Sequence, residues 1–196
     1  MVSNLLNGPH GDEKKLIDLL KQGDQDAYRI LVQKYQQMVF RIAFGMTLDR
    51  EESLDIAQEV FLKVYQKIDT FEQKAALSTW LHRITVNQSL NWKRRWKRRF
   101  RGQHQPLESS GVPEPGTENQ KPERLYQHKE LGRMLQEGLR GLPEDARAVF
   151  VLKEIEGLSY GEIADTLGVK PGTVSSRLFY ARKRLREQLR EYVDET

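Results

Sequence analysis

The sequence predicts an all-α protein, two small helical domains joined by a flexible linker: an N-terminal four-helix unit and a C-terminal helix-turn-helix unit. Three observations carry this. Apolar residues recur at helical spacing through both halves, with no β-rich run and no internal repeat. Proline and glycine crowd into residues 102–122, where Pro106, Pro113, Pro115 and Pro122 are four of the chain's seven prolines, beside Gly102, Gly111 and Gly116. Finally, residues 158–184, LSYGEIADTLGVKPGTVSSRLFYARKR, have the form of a helix-turn-helix.

In chain order, residues 12–20 read as a short first helix, ended at Gly23, with Asp24 as the N-cap of a longer second helix. Ala27, Leu31, Tyr35, Met38, Val39, Ile42 and Ala43 keep helical spacing there and read as core. A third helix is expected over 51–68, with Ala57, Val60, Phe61, Val64, Tyr65 and Ile68 as its apolar stripe. Its opposite side carries Asp55, Gln58, Glu59 and Leu62 at i, i+3, i+4 and i+7, which share one face. That face is either a solvated charged surface or a partner surface, and Leu62 among the polar residues favours the latter. Residues 69–76 break the pattern as a loop. A fourth helix starts near Ser78 and runs through Trp80, Leu81, Ile84 and Val86 as core positions into WKRRWKRRFR at 92–101.

That run holds seven Lys or Arg and no acid, while the whole chain carries a net charge of only +4; without it the remainder is at −3. The basic excess is therefore local, as a phosphate-contacting patch requires, and Lys93, Arg94 and Arg95 are its first candidates. Trp92 and Trp96 lie one turn apart among these cations. Either they stack on unpaired bases while the cations hold the backbone, or they pack on their own domain.

Residues 102–122 read as the linker, and at about 3.3 Å per residue they reach at most about 70 Å, or roughly 20 base pairs of duplex. The second unit opens with a helix over 124–139, closed by Gly141 and Leu142. Pro143 suits the first turn of the next helix, with Glu144 and Asp145 where the helix dipole favours acids. Ala146, Val149, Phe150 and Ile155 make its core face, and Gly157 ends it. Ser159 and Glu162 then have the spacing of a capping box, so a helix starts at Tyr160. Ile163, Ala164 and Leu167 face inward and Gly168 ends the helix in the left-handed conformation. Pro171 opens the last helix, whose inner face is Val174, Leu178, Ala181 and Leu185. Ser175, Ser176, Phe179, Tyr180 and Lys183 face outward, with Arg177, Arg182, Lys183 and Arg184 as a basic cluster. Hydroxyls, aromatics and cations on the free face of such a helix suit a major-groove reader rather than a plain surface hairpin.

Composition sets limits on the rest. Hydrophobic residues at 38% and charged residues at 31% suit helical modules. The absence of cysteine excludes disulfides and thiolate metal sites, and His10, His82, His104 and His128 are too scattered to be ligand pairs. No structural metal, no cofactor and no catalytic site are expected. The N-terminal segment lacks the apolar core of a signal peptide and nothing elsewhere approaches a membrane span, so the expected location is cytoplasmic.

Taken in order, DIAQEVF at 55–61, STWLHRITVN at 78–87, the basic run, the linker, LPEDAR at 142–147 and GTVSSRL at 172–178 resemble the extracytoplasmic-function (ECF, group IV) sigma factors of bacterial RNA polymerase. The match spans almost the whole chain except the linker. It implies a sigma region 2-like domain at 12–101, a linker at 102–122 and a sigma region 4-like helix-turn-helix domain at 123–193. The resemblance implies that Asp55, Gln58, Glu59 and Leu62 dock on the clamp helices of the β′ subunit of RNA polymerase core. It further implies that the loop at 71–78 holds a flipped base of the promoter −10 element. Phe71, Lys74, Ala75, Ala76, Trp80, Arg83 and Asn87 then serve −10 recognition and melting, together with Lys93, Arg94 and Arg95. In the second domain, Thr173, Ser175, Ser176, Arg177, Phe179, Tyr180 and Lys183 are placed on the −35 duplex. An anti-sigma factor is the implied regulatory partner, and no small-molecule substrate is.

Departures from the pattern matter as well. The family often carries Arg or Lys at the position of Ser175 and Arg at that of Tyr180, and two fewer cations weaken guanine readout or phosphate grip. Lys74 stands where an acid is common, Leu77 where an aromatic is common, and Leu54 replaces a frequent Glu beside the docking face. Two other classes fit less well. A conventional regulator needs a dimerisation seam or sensing domain in the first half, and a serine recombinase needs an N-terminal α/β domain; the first 40 residues look helical throughout.

Overall fold

A computed structural model describes residues 11–99 and 122–195. All regular structure among them is helical. The first half contains α1 (Gly11–Lys21), α2 (Gln25–Thr47), α3 (Arg50–Lys67) with a 3₁₀ turn at Ile68–Thr70, and α4 (Leu77–Arg99). The second contains α5 (Pro122–Gly141), α6 (Glu144–Phe150) running into a π-helical turn at Val151–Ile155, α7 (Tyr160–Leu167) and α8 (Pro171–Glu195). Apart from Pro122, which opens α5, the linker expected at 102–122 lies outside the described residues, as do the side chains of Trp96, Lys97 and Arg98. None of the described helices is long and apolar enough to cross a membrane.

The local chemistry of the helix ends explains where they fall. Asp24 accepts from the Ala27 amide at 2.8 Å and Asp49 from that of Glu52 at 2.9 Å, so α2 and α3 each start on a carboxylate cap. The amide of Leu77 in the first turn of α4 is taken by Glu13 Oε1 of α1 at 3.0 Å, which ties α1 to the end of the 71–76 loop. At α7 the capping box forms in full: the Glu162 amide donates to Ser159 Oγ, and Glu162 Oε2 accepts from the Ser159 amide at 2.8 Å. Gly168 then ends α7 at φ 65°.

The four N-terminal helices enclose one core, built from residues such as Leu31, Tyr35, Val39, Ile56, Val60, Phe61, Val64 and Leu81. A second core does not belong to either half. Ile42 and Met46 of α2 and Val86 of α4 are buried together with Val149, Val151, Leu152, Leu158, Ile163, Val174 and Leu178. A third joins Leu48 to Leu139, Leu142, Ala146, Ala181 and Leu185. Leu48 holds a left-handed backbone, φ 60°, which a branched side chain adopts only at a cost; burial of that side chain against the second half offsets it.

Three expectations are corrected by the fold. Tyr65, expected in the α3 core stripe, is 60% exposed and meets Tyr28 edge-to-face, because the buried stripe, which keeps Val60, Phe61, Val64 and Ile68, extends on its other side to Ser53 and Ile56. Ile155, expected on the core face, is 40% exposed. The π turn accounts for it: five residues closing one turn rotate everything after Phe150, so Val151 and Leu152 point inward and Ile155 does not. Pro143 sits at the N-cap of α6 rather than in its first turn.

Polar groups also cross between the halves. Arg147, buried in α6, donates to the carbonyls of Met46 at 2.9 Å, Arg140 at 2.8 Å and Leu142 at 3.3 Å. Burial pulls its guanidinium down to about 10, still charged at neutral pH. Arg41 of α2 grips Glu156 through both oxygens, at 2.9 and 3.0 Å, and His82 Nε2 of α4 stands 3.9 Å from the same carboxylate. Only 5% of the Glu156 side chain is exposed. Burial works against its ionised form, but the attraction of His82 and Arg41 is larger and holds the carboxyl below its usual range.

Two outcomes are expected. Ser159→Ala removes the cap of α7 and should cost about 1 kcal/mol in chemical denaturation. The depressed Glu156 carboxyl contributes stability that is present above its ordinary value of 4.5 and is lost as pH falls through the lower folded value. Stability of the wild type should therefore fall more steeply on acidification below that range than that of Glu156→Gln, as measured by denaturant midpoints across the pH series.

Candidate nucleic-acid interface

The α8 helix is held from behind by Val174, Leu178, Ala181 and Leu185, all buried, so the residues between them are turned to solvent. Ser175, Ser176, Phe179, Tyr180 and Lys183 are exposed as their spacing predicts, and Phe179 is 72% exposed. With Tyr180, 43% exposed, it puts two aromatic rings beside the hydroxyls on this face. Ser176 Oγ donates to the Thr173 carbonyl at 3.1 Å, leaving its lone pairs to accept from a base edge. Thr173 itself is half-buried at the first turn. Arg177 departs from the group: its guanidinium pairs with Asp145 of α6 and braces the helix from the side.

Beside this face, Tyr160, Ser175, Phe179, Arg182, Lys183 and Arg186 line a groove of about 540 Å³. Tyr160, Arg186 and Arg190 were not among the sequence candidates. Arg182, Arg186 and Arg190 repeat every four residues, a signal that could have revealed a cationic stripe continuing along α8. Arg182 is partly engaged by Glu154, at 2.6 and 2.9 Å.

A second surface lies on α4 and the loop before it. Lys74, Ala75 and Ala76 are exposed at the loop tip, where Gln73 takes a left-handed turn at φ 57° and Lys74 meets Glu72 at 2.5 Å. Phe71 is buried and stacks on Trp80 at 4.9 Å, so its ring props the loop from inside; its carbonyl accepts from Lys21 at 2.8 Å. From Trp80, half-buried, the positions 83, 87, 91 and 94 follow at helical spacing, and Arg83, Asn87, Asn91 and Arg94 are all exposed. Asn91 was missed by the sequence reading although its spacing from Asn87 places it on the stripe. Trp92 resolves its two alternatives towards packing: it is half-buried against the first core, with the Arg95 guanidinium 5.7 Å from its ring centre. Lys93 is half-buried beside it.

The third surface is the outer side of α3. Asp55, Gln58 and Leu62 are exposed there, Leu62 by 54%, and Leu54 and Tyr65 extend the apolar part. Glu59 is half-buried and already engaged, accepting from Gln88 Nε2 at 2.9 Å and from Arg95 at 3.0 Å, while Lys63 donates to Gln88 Oε1 at 2.6 Å. The carboxylate thus links the α3 face to the basic end of α4.

Comparison with known proteins identifies the family. The Sigma-70 region 2 family description matches residues 31–99 and the Sigma-70, region 4 description matches residues 132–185. The chain is 39% identical over 177 residues to the ECF RNA polymerase sigma factor SigE of Mycolicibacterium smegmatis, covering 89% of this chain and 67% of that one. It is 34% identical over 181 residues to the ECF RNA polymerase sigma factor SigW of Bacillus subtilis, covering 91% and 97%. Among solved structures, the sigma factor RpoE of Bartonella quintana, in complex with the anti-sigma factor NepR, superposes with a TM-score of 0.67 over 83% of this chain and 96% of that one. CnrH in complex with the cytosolic domain of CnrY gives 0.66 over 91% and 97%. Both are 23% identical to this chain, a level at which the likeness speaks for the fold. With both sigma regions matched in order, one relative at 39% identity covered over two thirds of its length and another at 34% covered almost end to end, the chain belongs to the ECF family of RNA polymerase sigma factors.

Proposed function

We propose that this chain directs bacterial RNA polymerase core to its promoters by reading −35 duplex with α8 and opening the −10 element with the 71–78 loop and α4. Division of labour follows domains at 12–101 and 123–193, with 102–122 as the tether between them. The observation that carries this reading is the separation of chemistries. Hydroxyls and aromatics on α8 suit base edges in a major groove. The exposed Arg83-to-Arg94 stripe, with its amides and cations, suits a single strand. The α3 face, acidic and apolar, suits protein rather than nucleic acid. Phe71 and Trp80 hold the loop so that Lys74, Ala75 and Ala76 meet the extruded base.

Asp55, Gln58 and Leu62 dock on the β′ clamp helices, and Glu59 joins them by giving up Arg95. Arg177 acts here through Asp145, as a positioning residue for α8. Chemistry is left to the polymerase, the chain having no catalytic site or cofactor of its own, and it works in the cytoplasm under an anti-sigma factor.

Run-off transcription with core enzyme on a promoter library tests the reading. Specific initiation should appear only when the chain is added, and should be lost in Leu62→Asp, which leaves both DNA faces intact; no gain over core alone sinks it. The cations give a second test. Neutralising Lys93, Arg94, Arg95, Lys97 and Arg98 together should flatten the salt dependence of promoter binding by about 0.7 to 0.9 in log–log slope per lost contact. An unchanged slope makes that run a solvated face.

A further inference from the structure

The loop at 71–76 is tied at both ends to one helix. Phe71 enters it and Leu77 follows it, and both side chains are buried in the first core while residues 72–76 between them are exposed. At the entrance, Lys21 Nζ of α1 donates to the Phe71 carbonyl at 2.8 Å. At the exit, Glu13 Oε1 of the same helix accepts from the Leu77 amide at 3.0 Å. Glu13, Ile17 and Lys21 follow one another at steps of four, which spaces the two charged residues about 12 Å apart along α1. Ile17 between them is buried with Leu16 and Leu20 in the core that also takes Ile68, Phe71 and Leu77.

Neither tie is one that the neighbouring sequence supplies. The helices α2, α3 and α7 each begin on a capping side chain of their own, Asp24, Asp49 and Ser159. Ala76 holds the corresponding position before α4, its carbonyl accepting from the Trp80 amide, and its methyl group can accept nothing. The Glu13 carboxylate, 64 positions away, takes that role, with the helix dipole in its favour. Glu13 is half-buried and close to Tyr35, whose phenol is pushed up to about 12 by burial first and by the Glu13 charge second. Lys21 in turn fixes the backbone of the residue whose ring stacks on Trp80. The matched Sigma-70 region 2 begins at residue 31, so α1 lies outside it.

We propose that α1 is a splint for the −10 loop: Glu13 and Lys21 are positioning residues that set the two ends of 71–76, so that Lys74, Ala75 and Ala76 meet the extruded base in one fixed geometry. The inference rests on the reading of that loop given above. Five exposed residues with free ends would have to be ordered each time they took a base, whereas ends already held move that ordering into folding. Neither bond reaches α8, so −35 reading lies outside the splint's influence.

Glu13→Leu and Lys21→Met delete the acceptor and the donor while keeping apolar bulk. Glu13→Gln and Lys21→Arg retain them and serve as matched controls. Run-off transcription with core polymerase on two libraries, one randomised at −10 and one at −35, reads the base preferences of each full-length chain. Each deletion should lower discrimination at the most selective −10 position about five-fold, as one typical hydrogen bond contributes on a net basis. The −35 preference should be unchanged, and the matched controls should behave like the wild type. A role confined to stabilising the fold would lower total product and leave the ratio between bases intact, and that result overturns the proposal. A second measurement needs no promoter. Amide exchange over residues 69–80 of the free chain should quicken about five-fold in the double variant Glu13→Leu/Lys21→Met, with α2 and α8 unchanged. Exchange that stays as in the wild type, or quickens throughout the chain, overturns the splint. If the wild type itself drives no initiation, the function proposed above fails, and exchange alone decides whether α1 holds the loop.

Discussion

At Gly45 the α2 helix presents bare backbone to Val151, and much of the molecule's arrangement follows from that close approach. Without a side chain there, Ile42 and Met46 on either side of the gap reach the second half and share its core. The π turn supplies the other surface. By rotating Val151 and Leu152 inward it fills the space that the missing β-carbon leaves, and by the same rotation it turns Ile155 out to solvent. Downstream of Gly45, the left-handed Leu48 caps α2 and carries its side chain into the third core, against Leu139 and Leu142.

Polar groups at this contact are arranged to avoid the cost of burial without a partner. Arg147 satisfies carbonyls at the ends of two helices, α2 and α5, which the helices cannot satisfy themselves. Glu156 is buried but gripped at both oxygens, and the net effect of its neighbours favours its charge. The surfaces assigned to nucleic acid follow the opposite rule. On α8 and along α4 the hydroxyls, amides and several cations stand in water, where a partner can exchange with solvent at little cost. The proposed function draws on groups left exposed, whereas the arrangement of the halves depends on groups withdrawn from water.

Much of the candidate site was legible because it rests on local rules. The outward set on α8 is the complement of a buried stripe, and a stripe of four residues at helical spacing is plain in a sequence. The capping box at Ser159 and the carboxylate cap at Asp24 are likewise confined to a few residues. The placements that needed the fold share a different cause. Trp92 and Phe71 look like candidate contact aromatics until the core and Trp80 are seen to hold them. Arg177 belongs to a basic cluster by sequence but is drawn aside by Asp145, 32 positions away. Tyr65 is apolar enough for the core and sits on the wrong side of α3 for it. Each depends on a neighbour from another helix, and periodicity along one helix carries no information about that neighbour.

The sequence by itself determined the all-α class, where the helices begin to within a few residues, and which side of α8 faces out, because caps, glycines and helical spacing act over a few residues. Its ordered motifs were enough to point to the family. Only the tertiary structure decided what the inner faces of α2 and α4 pack against. A buried apolar face reads the same in sequence whether its partner is the next helix or one in the other half. The choice was made by contacts such as Arg41 with Glu156, 115 positions apart, and by a β-carbon that Gly45 lacks. Shape complementarity over such separations exists only once the chain is folded.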